Sequence, residues 1–319
     1  MDSRTKIVFM GTPQFAVPSL QALIDMPGIQ IDLVLTQPDR PKGRGQHVQA
    51  SPVKQLALQH NIPVLTPGRL NDPGVREQLE AYKPNIAIVA AYGLILPTWA
   101  LQWPKLGCIN VHASILPKHR GASPITQAIL DGDKNTGISI MQLEAGLDTG
   151  PVFASAAIPI GAETTTGQLE ITLAQLGADL LQQTLSDILK GRIHATPQNH
   201  SLATYAHKIK KQDGALDFSQ SAAQLERQIR AYHPWPGCFT FLGTERIVVL
   251  DGYVVDQHPN SSPGTIIEAS SEADLLVACG NGCLRISRIK PEGKREMDVG
   301  AWLLGRHVGD LAMFSGHPA

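Results

Sequence analysis

The stretch KIVFMGTPQFAVPSLQALID (residues 6–25) decides the fold. The apolar run KIVFM reads as a strand, and Gly11-Thr12-Pro13 follows with a turn glycine, an N-cap and a proline allowed in the first helical turn. PQFAVPSLQALID then reads as a helix. The alternation continues through IQIDLVLTQ, SPVKQLALQH, IPVLTP, DPGVREQLEAY and NIAIVAAY, which predicts βαβ units and a parallel sheet with helices on both faces. IAIVAAY is apolar throughout, as suits a central strand covered on both sides. The segment 164–191, ending on Gly191, predicts a long helix that closes a first domain, 1–191. RIHATPQNHSLATYAH then loses periodicity, so 192–208 reads as a linker. The second domain, 209–319, opens with the helix SAAQLERQIRAY and continues in short β-type runs separated by Gly, Asn and Pro, the pattern of a small barrel or sandwich.

A chain of 319 residues fits two domains with room for a core. With 27 Lys and Arg against 28 Asp and Glu, the net charge of −1 points to no particular partner, so any polyanion must be met by local patches. The N-terminus lacks a signal-peptide core and no run is long enough to cross a bilayer, which leaves the cytoplasm as the expected location. Four cysteines, Cys108, Cys238, Cys279 and Cys283, suit a reducing compartment. CGNGC (279–283) lacks a second ligand pair and reads as a hairpin rather than half a zinc site.

Three features bear on chemistry. GTPQFA (11–16) follows the first strand and opens a helix, but it has neither GxGxxG nor GxxxxGK[ST], and the turn-and-cap reading is preferred to a nucleotide site. GCINVH ends a strand, and alternation puts Asn110 and His112 on one face with Val111 on the other. An amide donor and a titratable imidazole are the minimum for polarising a carbonyl and moving a proton. Such a pair can equally satisfy loop backbone groups, and both readings stand at this point. EAGLDTG (144–150) places Asp148 in a turn, where its carboxylate can cap backbone amides or orient His112.

Taken together, GTPQFAVPSL, QPDRPKGRG, SPVK, AYGLILP, GCINVHASILPKHRGASPI, TGISIMQLEAGLDTGPV and SAAQLERQIRAYHPWPG resemble the 10-formyltetrahydrofolate-dependent formyltransferases, and among them the branch that acts on methionyl-tRNA. The resemblance runs in order over nearly the whole chain and is weakest in the final barrel. It implies an α/β, Rossmann-like formyltransferase domain without a dinucleotide, followed by a smaller OB-like β-barrel that binds tRNA. It also implies that Asn110, His112 and Asp148 are catalytic, with His112 protonated and donating to an oxyanion beside Asn110. Ser114, Ile115, Leu116 and Pro117 would shape the folate site, with Ile where the family has Leu. The donor would be 10-formyltetrahydrofolate with no metal, and the acceptor the α-amine of methionyl initiator tRNA, formylated for translation initiation. Arg40, Lys42 and Arg44, in the Pro/Gly-rich loop 37–54, would contact the acceptor end, with basic segments 207–211 and 285–295 assisting. A monomer is expected. Two alternatives remain: the same chemistry on a small amine such as a nucleotide amino sugar, and a non-catalytic tRNA- or folate-binding module. The basic loop opposes the first and the intact Asn–His–Asp set opposes the second.

Overall fold

The computed structural model describes residues 4–42, 47–258, 260–269, 274–304 and 312–318. The chain forms two compact units, Met1–Pro124 with Asn135–Pro159 and Glu170–Ala206, and Ile125–Lys134 with Ile160–Leu169 and His207–Ala319.

The elements alternate as the sequence predicts: β1 (Thr5–Gly11), α1 (Val17–Ile24), β2 (Ile29–Leu35), β3 (Arg40–Lys42), β4 (His47–Gln49), α2 (Pro52–Gln59), β5 (Val64–Leu65), α3 (Val75–Glu80), β6 (Ile86–Ala90), α4 (Thr98–Gln102) and β7 (Cys108–His112). Then come β8 (Arg120–Gly121), α5 (Pro124–Leu130), β9 (Asn135–Gln142), β10 (Val152–Pro159), α6 (Thr166–Leu189) and β11 (Tyr205–Ala206). The main sheet runs β10-β9-β7-β6-β1-β2-β5. From β5 to β7 it is parallel, and β9 and β10 add antiparallel strands beyond β7. Strand order reverses between β1 and β6, as in doubly wound folds, so ligand chemistry is expected at the C-terminal strand ends. On one face Val8, Met10, Leu33, Leu35, Ala87, Val89 and Cys108 form a continuous buried cluster with Leu79 and Ala100.

Two details set the site. A Cβ at Gly177 would stand 2.8 Å from Val111 Cγ1, so α6 packs against the Val111 face of β7 and Asn110 and His112 point away from it. The first turn departs from expectation. A Cβ at Gly11 would lie 2.7 Å from the Phe9 ring and 2.9 Å from Ala16, so this glycine permits close packing. Thr12 caps no helix: its hydroxyl donates to the Tyr92 carbonyl at 2.9 Å, tying the ends of β1 and β6 together, and accepts from the Gln37 amide at 3.3 Å.

Residues 192–206 are built into the first unit rather than strung loosely as a linker. Thr196 and Val152 exchange backbone hydrogen bonds of 2.9 and 2.8 Å, and β11 pairs in parallel with β8. The stretch lacks periodicity because its fastenings are individual.

In the second unit, α7 (Ala222–Ala231) starts at a capping box in which Ser221 and Gln224 satisfy each other's backbone amides. Next come β12 (Cys238–Leu242), β13 (Glu245–Val255), β14 (Ile266–Ala269), β15 (Leu275–Ala278), β16 (Cys283–Pro291), β17 (Met297–Asp298), α8 (Val299–Leu303) and β18 (Phe314–Ser315). The antiparallel sheet runs β14-β15-β16-β13-β12-β18, with β17 on β16. Its ends meet: Thr265 bridges Met313, and Ile266 N donates to Ala312 O and Phe314 N to Gly264 O, each at 2.8 Å. These contacts join the two ends of the sheet in an OB-like arrangement. CGNGC turns from β15 into β16, with Cys279 N donating to Gly282 O at 3.1 Å.

Candidate active site

The sheet register places β7 beside β9, with His112 opposite Ser139 and Asn110 opposite Met141. Asn110 is half-buried, and its amide makes no hydrogen bond with the described residues. His112 is 5% exposed. Its Nε2 lies 3.1 Å from the His119 carbonyl oxygen, which can only accept, so Nε2 carries a hydrogen. Its Nδ1 lies 3.7 Å from Asp148 Oδ1. Asp148 Oδ2 accepts from the Gly121 amide at 2.7 Å, so the carboxylate engages a backbone amide and also lies near the imidazole.

Burial pushes His112 below the ordinary imidazole range, opposed by the Asp148 carboxylate and the His119 carbonyl, with the neighbouring His119 ring adding to the depression. The imidazolium expected from sequence is thus disfavoured before reaction. With Nε2–H on a carbonyl, the vacant ring position is Nδ1, facing a carboxylate. That arrangement stores a place for one proton.

The turn after β7 is held from outside. Ser114 is fully buried, and its hydroxyl donates to the Lys118 carbonyl at 2.6 Å, so it offers a ligand the shape of the turn rather than its hydroxyl. Ser139 donates to the Ser114 carbonyl at 2.8 Å and accepts from Leu116 N at 3.1 Å. Ile115, Leu116 and Pro117 are half-buried, and the Leu116–Pro117 peptide is cis. His119 adopts φ 56, with its amide on the Thr204 hydroxyl at 2.9 Å. Gly121, at φ 119, lies against β11, where a Cβ would come within 2.5 Å of the Ala206 carbonyl oxygen. Residues 198–206 and Ser139 carry no sequence signal for these roles, since each acts through a contact distant along the chain.

Two loop side chains stand in solvent: Ile95, after β6, is 92% exposed, and Leu147, beside Asp148, is 60% exposed. They suit a flat apolar ring better than they suit water. Sequence reasoning passed over both.

Of the basic candidates, Arg40 is exposed at the start of the β3–β4 hairpin, in which Arg40 pairs with Gln49 and Lys42 with His47. Arg44 lies outside the described residues, as does the side chain of Lys42. Lys54 ion-pairs with Asp39 at 2.6 Å, which withdraws it from the basic loop. In the barrel, Arg285 faces Glu268 at 3.1 Å and Arg288 faces Glu296 at 3.6 Å, while Lys290, Lys294 and Arg295 are exposed. Lys208, Lys210 and Lys211 are exposed as well.

A doubly wound sheet with Asn, His and Asp gathered at one strand end defines a class, and comparison with known proteins gives the same one. The family described as formyl transferase matches residues 5–185 and the formyl transferase C-terminal domain matches 208–307, so the chain belongs to the formyl transferase family. Its relatives include the methionyl-tRNA formyltransferases of Pseudomonas syringae pv. syringae, 47% identical over 92% of this chain and 93% of the relative, and of Alkaliphilus oremlandii, 45% identical over 95% and 97%. Among solved structures, an N-formyltransferase from Helicobacter canadensis in complex with folinic acid and dTDP-3-aminofucose superposes with TM-score 0.68 over 92% of this chain and all of that one, at 17% identity. The sugar 3N-formyl transferase WlaRD gives TM-score 0.66 at 17% identity, covering 91% of this chain and 99% of its own. At that identity the likeness is one of fold. No helix among the described residues is long and apolar enough to cross a membrane.

Proposed function

We propose that the chain transfers the formyl group of 10-formyltetrahydrofolate to the α-amine of methionyl initiator tRNA, as a cytoplasmic monomer serving translation initiation. The observation that carries the chemistry is the convergence of Asn110, His112 and Asp148, with an unengaged amide and an imidazole one proton short of two acceptors. Full-length likeness to methionyl-tRNA formyltransferases supports the acceptor.

In this mechanism the amine nitrogen attacks the formyl carbon and the carbonyl π electrons move to oxygen. The Asn110 amide donates to that oxyanion, where a preorganised donor lowers the barrier most. The adduct's ammonium proton passes to His112 Nδ1, and the imidazolium so formed is stabilised by Asp148. His112 thus begins neutral and becomes charged as the intermediate forms. Its Nε2 joins Asn110 at the oxyanion only by leaving the His119 carbonyl. Collapse breaks the bond from carbon to N10, N10 receives the proton, and the formyl amide and tetrahydrofolate result. Ile115, Leu116, Pro117, Ile95 and Leu147 form the apolar bed for the folate rings. Exposed Arg40, with Lys42 and Arg44 from the same loop, suits tRNA phosphates, and so, on its own unit, does the exposed lysine cluster of 207–211.

The test incubates the protein with labelled 10-formyltetrahydrofolate and, separately, methionyl initiator tRNA, methionyl elongator tRNA and a nucleotide amino sugar. Transfer to the initiator, weakening steeply with salt, is expected. Transfer to the sugar alone would refute the assignment.

A further inference from the structure

Behind the Asp148 turn lie two buried side chains with no part in the proton path, Arg120 and Gln198. Arg120 is 2% exposed, and among the described residues it has no carboxylate partner. Its Nε and Nη2 donate to Gln198 Oε1 at 3.1 and 2.7 Å, and Nη2 also donates to His200 Nδ1 at 3.1 Å. Gln198 Nε2 donates in turn to the carbonyl oxygens of Asp148 at 2.8 Å and Gly150 at 2.7 Å.

The chemistry at this position is narrow. A guanidinium only donates and two carbonyls only accept, so the side chain between them must accept at one end and donate twice at the other. A primary amide does this in one orientation. The same turn carries a backbone demand, because Asp148 sits at φ 50, in the left-handed region that most side chains avoid. Gln198 grips its carbonyl, while Gly121, next to Arg120 in the chain, grips its carboxylate.

We infer that Gln198, oriented by Arg120, is a positioning residue for formyl transfer: its amide fixes the backbone of the Asp148 turn and thereby the distance from the carboxylate to His112. The inference rests on the reading of His112 and Asp148 as the proton-accepting pair. It gives residues 196–200 a task in catalysis that is separate from any contact with tRNA or folate.

The experiment uses the full chain with Gln198→Leu, which removes both ends of the bridge, and Gln198→Glu, which keeps an acceptor for Arg120 but turns an oxygen toward two carbonyls. Turnover, both KM values, melting temperature and the His112 ring titration, followed by NMR on histidine-labelled protein, are measured. For both variants kcat should fall by about 10²-fold, the scale of a displacement near 1 Å, with KM for folate and tRNA little changed. The His112 titration should move to lower pH, because the receding carboxylate leaves burial and the nearby His119 ring opposed by the His119 carbonyl alone. A folded variant with the parent's kcat overturns the inference, and so does lost turnover with an unmoved His112 titration, which marks a merely structural role. The Glu variant, stabilised by its ion pair with Arg120, keeps the test intact should the Leu variant fail to fold. A His112→Ala protein that retains turnover would instead remove the reading on which the inference stands.

Discussion

At the scale of single residues the site divides its labour by what each atom is bonded to before reaction. Asn110 has an unengaged amide, so Asn110→Ala should lower kcat by about 10²-fold while folate affinity, measured by fluorescence titration, stays near the parent's. His112→Ala should remove nearly all transfer. The buried imidazole also leaves a mark on stability. Its folded pKa lies below the ordinary value of 6.5, so the unfolded chain binds a proton that the folded one refuses. The resulting stabilisation is complete above 6.5 and is lost as pH falls from there through the folded pKa. Melting temperatures should therefore drop between neutral and mildly acid pH, and the drop should be shallower in His112→Gln; equal slopes would mean the ring is not buried neutral.

At the scale of elements, short pieces carry out the positioning that long ones cannot. β8 and β11 are two residues each, yet they fix the loop that brings the His119 carbonyl to His112. Gly121→Ala confronts both a φ of 119 and the Ala206 carbonyl oxygen, and should cost about 1–3 kcal/mol, read by denaturant unfolding, with a larger proportional loss of activity than Tm alone suggests. The β3–β4 hairpin is the opposite case, exposed and outside the main sheet. Arg40→Ala should raise KM for tRNA several-fold and flatten its salt dependence while leaving the folate KM unchanged; a shift in the folate KM would place this hairpin elsewhere in function.

At the scale of the whole molecule, what sequence made legible follows from the range of the physics involved. Alternation with period two put Asn110 and His112 on one face, because neighbouring residues of a strand must diverge, and the packing of α6 against Val111 agrees. Asp148 was a candidate only by its turn, since 36 positions separate it from His112 and only the fold spans them. Thr12 was misread because a good capping residue also makes a good cross-link. Gln198 and Ser139 were invisible for the same reason: an amide and a hydroxyl in a strand or coil announce nothing until their partners arrive. Residues 192–206, read from sequence within a linker, are held by single fastenings rather than by a repeating pattern, and so show no periodicity. Those fastenings bear on synthesis. A ribosome delivers β1 to β7 in order, and the parallel strands can assemble as they emerge, but β8 must wait for β11, some 85 residues later. A nascent chain paused before residue 204 would hold the strands of the main sheet but lack the partner that fastens β8 and the loop before it.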